Sequence, residues 1–113
     1  KKTVGFFNRS LIEKMKNPFW LINTSRGKVV VTEDLVEGLK TKKILGAGLD
    51  VLEYESNSFN SITNSNKIAP SLEYLIKSDK VLLSPHVAGW TYESHKKLAL
   101  TIVKKIRDLR LTN

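Results

Sequence analysis

Three short apolar runs, each ending in a polar turn, alternate along this chain with segments whose apolar residues recur at helical spacing. The runs fall at 19–22, 46–52 and 81–84 and predict three strands. In 19–22 the residues Phe19, Trp20, Leu21 and Ile22 are apolar at every position. That pattern predicts a strand covered on both faces of a parallel sheet. Around the second strand, Gly46-Ala47-Gly48 permits close approach of a neighbouring backbone.

The intervening segments read as helices. Asn8 is placed to cap a short one running to about residue 16, with Leu11, Ile12 and Met15 on its apolar face. Asn17-Pro18 stops it. Thr32 is the expected N-cap of a second helix, with Glu33 and Asp34 in the first turn and lysines at its end near residues 41–43. Leu35, Val36 and Leu39 form its inner face. A third short helix is expected at 69–77. Thr91 is placed to cap a long final one over 91–110, where Leu98, Ile102, Ile106 and Leu109 make a stripe that should pack on something. Trp90 and Tyr92 are expected to be packing residues, and His95 a surface residue of the last helix. Residues 56–67 turn to Ser and Asn and predict a loop.

Strand, helix and strand joined by short connections are the signature of parallel crossover units. The fold class is therefore α/β, with about three strands, flanking helices and a long C-terminal helix. That is half of a doubly wound parallel sheet, a partial Rossmann-like arrangement. The sequence contains no Gly-x-Gly-x-x-Gly. The expectation is that residues 1–113 form the C-terminal portion of a larger domain, with the helix at 91–110 returning toward a second one.

Composition narrows the function classes. The chain has 113 residues, a formal net charge of +8 and no cysteine, so disulfides and thiolate metal sites are excluded. His86 and His95 lack the spacing of a metal site, and no metal is expected. The positive charge raises nucleic acid as a partner. However, the lysines are interleaved with Glu13, Glu33, Asp34, Glu37, Glu93 and Asp108, the pattern of a solvated helical surface rather than a binding face. No apolar run approaches the roughly 20 residues of a membrane span. The expectation is a soluble, cytoplasmic protein that binds neither nucleic acid nor membrane.

In an open α/β sheet the carboxyl ends of the strands share one crevice, where ligands bind. The turns after the three strands would bring Arg26, Asp50, Glu55 and His86 to it. Taken singly, each has an ordinary explanation: an exposed turn arginine, strand-end acids, a hydrogen-bonded loop histidine.

Together, the blocks Leu21-Ile22-Asn23-Thr24-Ser25-Arg26-Gly27, Asp34-Leu35, Gly46-Ala47-Gly48-Leu49-Asp50-Val51 with Glu55, and Ser84-Pro85-His86-Val87-Ala88-Gly89 with Thr91 resemble the D-isomer-specific 2-hydroxyacid dehydrogenases. The resemblance covers nearly the whole chain. It implies an NAD-binding domain (NADP is the alternative) inserted in a catalytic domain, a small 2-hydroxy or 2-keto acid substrate, and a homodimer at full length. It further implies that Arg26 binds the substrate carboxylate and polarises its carbonyl. Glu55 is implied as the acid partner of the histidine, and His86 as the general acid and base. Thr24, Ser25, Arg26, Asp50, His86 and Gly89 would line the nicotinamide end of the cofactor. The chain departs from the family pattern at Glu55-Ser56, where Glu-Pro is usual.

The implied chemistry is coherent. Histidine is the residue type suited to exchanging a proton near neutrality, and a guanidinium is a planar, permanently charged fork for a carboxylate. A carboxylate beside an imidazole favours its charged form. Lacking a glycine loop, the chain alone is expected to be inactive. The alternative is a non-enzymatic module that binds a protein partner or itself.

Overall fold

The computed structural model describes residues 3–54 and 68–111. Helix α1 (Arg9–Lys14) leads to strand β1 (Phe19–Asn23), and a 3-10 turn (Gly27–Val29) precedes helix α2 (Thr32–Lys40). Strand β2 (Ile44–Leu49), helix α3 (Pro70–Lys77), strand β3 (Val81–Leu83) and helix α4 (Tyr92–Leu111) complete the order. The strands form one parallel sheet in the order β1-β2-β3. Three strands, flanking helices and a long last helix are the α/β arrangement expected.

Local chemistry accounts for most of these elements. Asn8 caps α1, its side chain accepting from the Leu11 amide, and Pro70 opens α3 at a position that needs no amide donor. Thr91 caps α4 by accepting from the Ser94 amide. The core lies on one face of the sheet. Leu35 and Leu39 of α2 and Leu72 and Leu75 of α3 bury against Ile44, Ala47 and Leu49 of β2, and Ile12 of α1 joins them. Pairing of Phe7 with Val30 ties the first residues to the segment before α2.

The cap of α2 differs from expectation. The helix starts at Thr32, its N-cap is Val31, and no side chain caps it locally. The carboxylate of Glu53 does so instead, accepting from the Thr32 amide and hydroxyl, both at 2.8 Å. A capping rule that reads only neighbours in sequence cannot see an acid 21 residues away.

The second face of the sheet is open among the described residues, which corrects the reading of 19–22 as covered on both sides. Along β1, burial alternates, with Trp20 70% and Ile22 75% exposed. They align with Gly46 and Gly48 of β2, and Gly48 with the exposed Leu82 of β3. The stripe of α4 is likewise not buried: Leu98, Ile102, Ile106 and Leu109 are all exposed. Trp90 and Tyr92 are exposed rather than packed, and His95 is exposed as expected. Apolar periodicity reports which face can be buried, and the burying partner has to come from elsewhere. Among the described residues no helix is long and apolar enough to cross a membrane.

Candidate functional site at the carboxyl edge of the sheet

The register places Asn23, Leu49 and Leu83 side by side at the ends of the three strands. The next residues, Thr24, Asp50 and Ser84, therefore leave the sheet at one level, and the three turns begin together. β2 stops at Leu49, earlier than its apolar run suggested, so Asp50 is the first residue beyond the strand. Its amide donates to the Asn23 carbonyl at 3.0 Å, which joins the first two turns at their bases.

The first turn is built by Asn23, one of the buried polar residues. Its Oδ1 accepts from the Ser25 amide and hydroxyl at 3.2 and 2.9 Å, and its Nδ2 donates to the Arg26 carbonyl at 3.1 Å. Thr24, Ser25 and Arg26 are consequently presented to solvent on a fixed frame. The Arg26 guanidinium is exposed and donates to the Ser25 carbonyl at 2.6 Å. Gly27 follows because nothing larger fits: a Cβ there would lie 1.8 Å from the Leu52 carbonyl oxygen. That contact packs the Arg26 turn against the segment leaving β2.

Asp50 is buried and holds the third turn. Its Oδ1 accepts from the Ser84 hydroxyl at 2.6 Å and the Val87 amide at 2.8 Å, and its Oδ2 from the Ala88 amide at 3.0 Å. The Ser84 hydroxyl chiefly, with the Ala88 and Val87 amides and the charge of the nearby His86, holds the Asp50 carboxyl below its ordinary range, while burial opposes them. His86 is exposed and stands in the left-handed region, at φ 58°. Its amide donates to the Ser84 carbonyl at 3.0 Å. Gly89 faces open space: among the described residues, no atom beyond its own and its chain neighbours' lies within 4 Å of where a Cβ would stand.

Thus Thr24, Ser25, Arg26, Asp50, His86 and Gly89 all lie on turns at the same edge of the sheet, and Asp50 and His86 are brought into electrostatic contact. Glu55, the sequence-predicted partner of His86, lies outside the described residues. Two members of the frame were not singled out from sequence. Asn23 was legible as an Asn whose side chain takes the amide two residues on. Ser84 carries no local signal, since its partner is 34 residues away. Among the described residues no group of three or more His, Asp or Glu could hold a metal ion.

A second polar cluster flanks the same side of α2. The Tyr54 hydroxyl donates to Glu33, and Ser71 of α3 reaches the same carboxylate at 3.3 Å. Tyr54 above all, then a backbone hydrogen bond, pulls the Glu33 carboxyl below its ordinary value. Burial first, then Glu33, pushes the Tyr54 hydroxyl above its own.

Residues 1–88 match the family described as D-isomer specific 2-hydroxyacid dehydrogenase, NAD binding domain. A glyoxylate reductase of Thermofilum pendens is 40% identical over 99 residues, covering 88% of this chain and 26% of that protein. A D-lactate dehydrogenase of Lactiplantibacillus plantarum is 34% identical over 92 residues, 80% of this chain and 28% of its own length. Among solved structures, the Lactobacillus jensenii D-lactate dehydrogenase with NAD+ superposes with a TM-score of 0.70 at 33% identity, over 82% of this chain and 28% of that one. The Aquifex aeolicus D-lactate dehydrogenase with NAD and lactic acid gives 0.69 at 30% identity, over 98% and 34%. The chain thus spans only about a third or less of these relatives.

Proposed function

The chain belongs to the D-isomer specific 2-hydroxyacid dehydrogenases, as an NAD-binding domain of that family, and we propose that it carries the proton-transfer histidine of an enzyme that moves a hydride between NAD and a D-2-hydroxy acid or its 2-keto acid. The observation that carries this reading is the common level of the three strand ends, which puts the Arg26, Asp50 and His86 turns at one edge.

The residues at that edge fit the nicotinamide end of NAD. Thr24 and Ser25 are exposed polar groups on a fixed turn, and Gly89 leaves open space beside the His86 turn. A carboxylate accepts about four hydrogen bonds, and among the described residues Asp50 accepts three. Capacity for one donor, such as a carboxamide, remains on Oδ2. When bound, NAD supplies the hydride chemistry, and the remaining tasks fall to the protein.

Arg26 binds the substrate carboxylate and offsets charge developing on the C2 oxygen. His86 takes the hydroxyl proton at an imidazole nitrogen during oxidation and returns it during reduction. Glu55 is, in this reading, the acidic partner that orients the imidazole. In the complete enzyme, His86→Ala should lower kcat by at least about a hundredfold, and Arg26→Ala should raise KM for the keto acid. Turnover unchanged in His86→Ala would overturn the assignment. At full length the protein is a homodimer in this reading, which light scattering checks.

By itself, the 113-residue polypeptide should bind NAD weakly, because its sequence has no glycine-rich phosphate loop. Calorimetric titration should give a Kd no tighter than about 1 mM; a micromolar Kd would overturn that expectation. The open apolar face of Trp20, Ile22 and Leu82 favours a second reading, a module that self-associates or binds a protein partner. Sedimentation of the isolated chain separates the two: a monomer at micromolar concentration removes self-association.

A further inference from the structure

One buried carboxylate holds both sides of the turn that presents His86. Ser84 leaves β3 with its amide donating to the Leu49 carbonyl at 3.0 Å, which anchors it to β2. Its hydroxyl then donates to Asp50 Oδ1 at 2.6 Å. Past His86, the Val87 amide returns to the same oxygen at 2.8 Å and the Ala88 amide to Oδ2 at 3.0 Å. Between these ties stand Pro85, whose ring fixes its own φ, and His86 at φ 58°. That conformation is uncommon for a residue with a side chain and persists where the surroundings over-determine it. The surroundings here are named: an anchored serine before the histidine, two amides after it, and one carboxylate that accepts from all three.

We propose that Ser84 and Asp50 form a latch that closes the 84–88 turn and thereby fixes the backbone and imidazole of His86 for proton transfer. This deepens the dehydrogenase reading and rests on it for the purpose of the turn, but the latch itself is a property of the chain. Ser84 is a positioning residue: it touches no substrate and acts through Asp50. Without its hydroxyl, the Asp50 carboxylate loses the shortest of the hydrogen bonds that tie it to the turn, and it is free to turn away from the Val87 and Ala88 amides. The turn would then relax toward the extended backbone that histidine ordinarily adopts. A threonine at 84 keeps the hydroxyl and should keep the latch.

Two measurements test this separately from the reaction. In the 113-residue chain, amide hydrogen exchange should find Val87 and Ala88 protected although both residues are exposed. Ser84→Ala should speed exchange at both by about tenfold or more, in line with local opening, and shift the backbone coupling constant of His86 away from the left-handed value. Ser84→Thr should restore both. Unprotected Val87 and Ala88 amides in the unsubstituted chain would overturn the latch without any variant having to fold, and so would Ser84→Ala leaving both readouts unchanged. In the complete enzyme, Ser84→Ala should lower kcat by about ten- to a hundredfold through misplacement, with KM for the hydroxy acid within about twofold, and Ser84→Thr should recover it. If exchange confirms the latch while turnover in Ser84→Ala is unchanged, the positioning role is overturned. If neither Arg26→Ala nor His86→Ala affects turnover, the dehydrogenase reading fails while the exchange result still stands.

Discussion

Glu53 and Thr32 are 21 residues apart in sequence, yet the Glu53 carboxylate accepts from both the amide and the hydroxyl of Thr32 and caps helix α2 from outside. The helix offers no side chain of its own for that purpose. Glu53→Ala should therefore cost about 1–2 kcal/mol, the range for losing an N-cap. Thermal unfolding checks this, with a fall in Tm of roughly 4–8 °C per kcal/mol for a small domain. A change below about 1 °C would show that the Thr32 groups find water at no loss.

The contact between Gly27 and Leu52 gives a prediction in which two glycines diverge. A Cβ at Gly27 would meet the Leu52 carbonyl oxygen at 1.8 Å and the Glu53 amide nitrogen at 2.6 Å, both backbone atoms that cannot step aside alone. Gly27→Ala should destabilise by about 2 kcal/mol or more and disturb the Arg26 turn. Gly89→Ala meets nothing within 4 Å and should stay within about 0.5 kcal/mol. Urea unfolding of the two variants side by side makes the comparison.

Acid should weaken the fold in part through Glu33. Its carboxyl is held low chiefly by the Tyr54 hydroxyl, so the native state favours its charged form. The resulting stabilisation is present above the ordinary glutamate range, about pH 4.3, and is lost as pH falls through the depressed native value. Tyr54→Phe should move the Glu33 titration toward ordinary glutamate, read by carboxyl-carbon NMR, and flatten the acid limb of stability against pH. An unchanged Glu33 titration would assign its shift to the backbone and Ser71 instead.

Two leucines, Leu75 of α3 and Leu82 of β3, test which face of the sheet carries the core. Leu75 is 1% exposed and Leu82 74%. Leu75→Ala should cost about 2–5 kcal/mol as a buried truncation, whereas Leu82→Thr should stay within about 0.5 kcal/mol. A large loss for Leu82→Thr would mean that the open face is covered in solution, and sedimentation would then find the covering copy.

The sequence by itself determined the element order, the parallel class and the turns where chemistry-bearing residues sit. Those depend on short-range physics: an Asn before α1, a Pro opening α3, a Thr before α4, and apolar runs closed by polar residues. It also put Arg26, Asp50 and His86 on the turns that follow the strands. Only the tertiary structure decided how those turns are held. The Glu53 cap, the Gly27 contact and the Ser84 latch each join residues separated by 21 or more positions in sequence. No periodicity records such pairs, because they are set by which loops the sheet brings together. The same reason explains β1 and α4. Their apolar residues state that a face can be buried, while burial itself requires a partner, and among the described residues Trp20, Ile22, Leu98, Ile102 and Ile106 stay exposed.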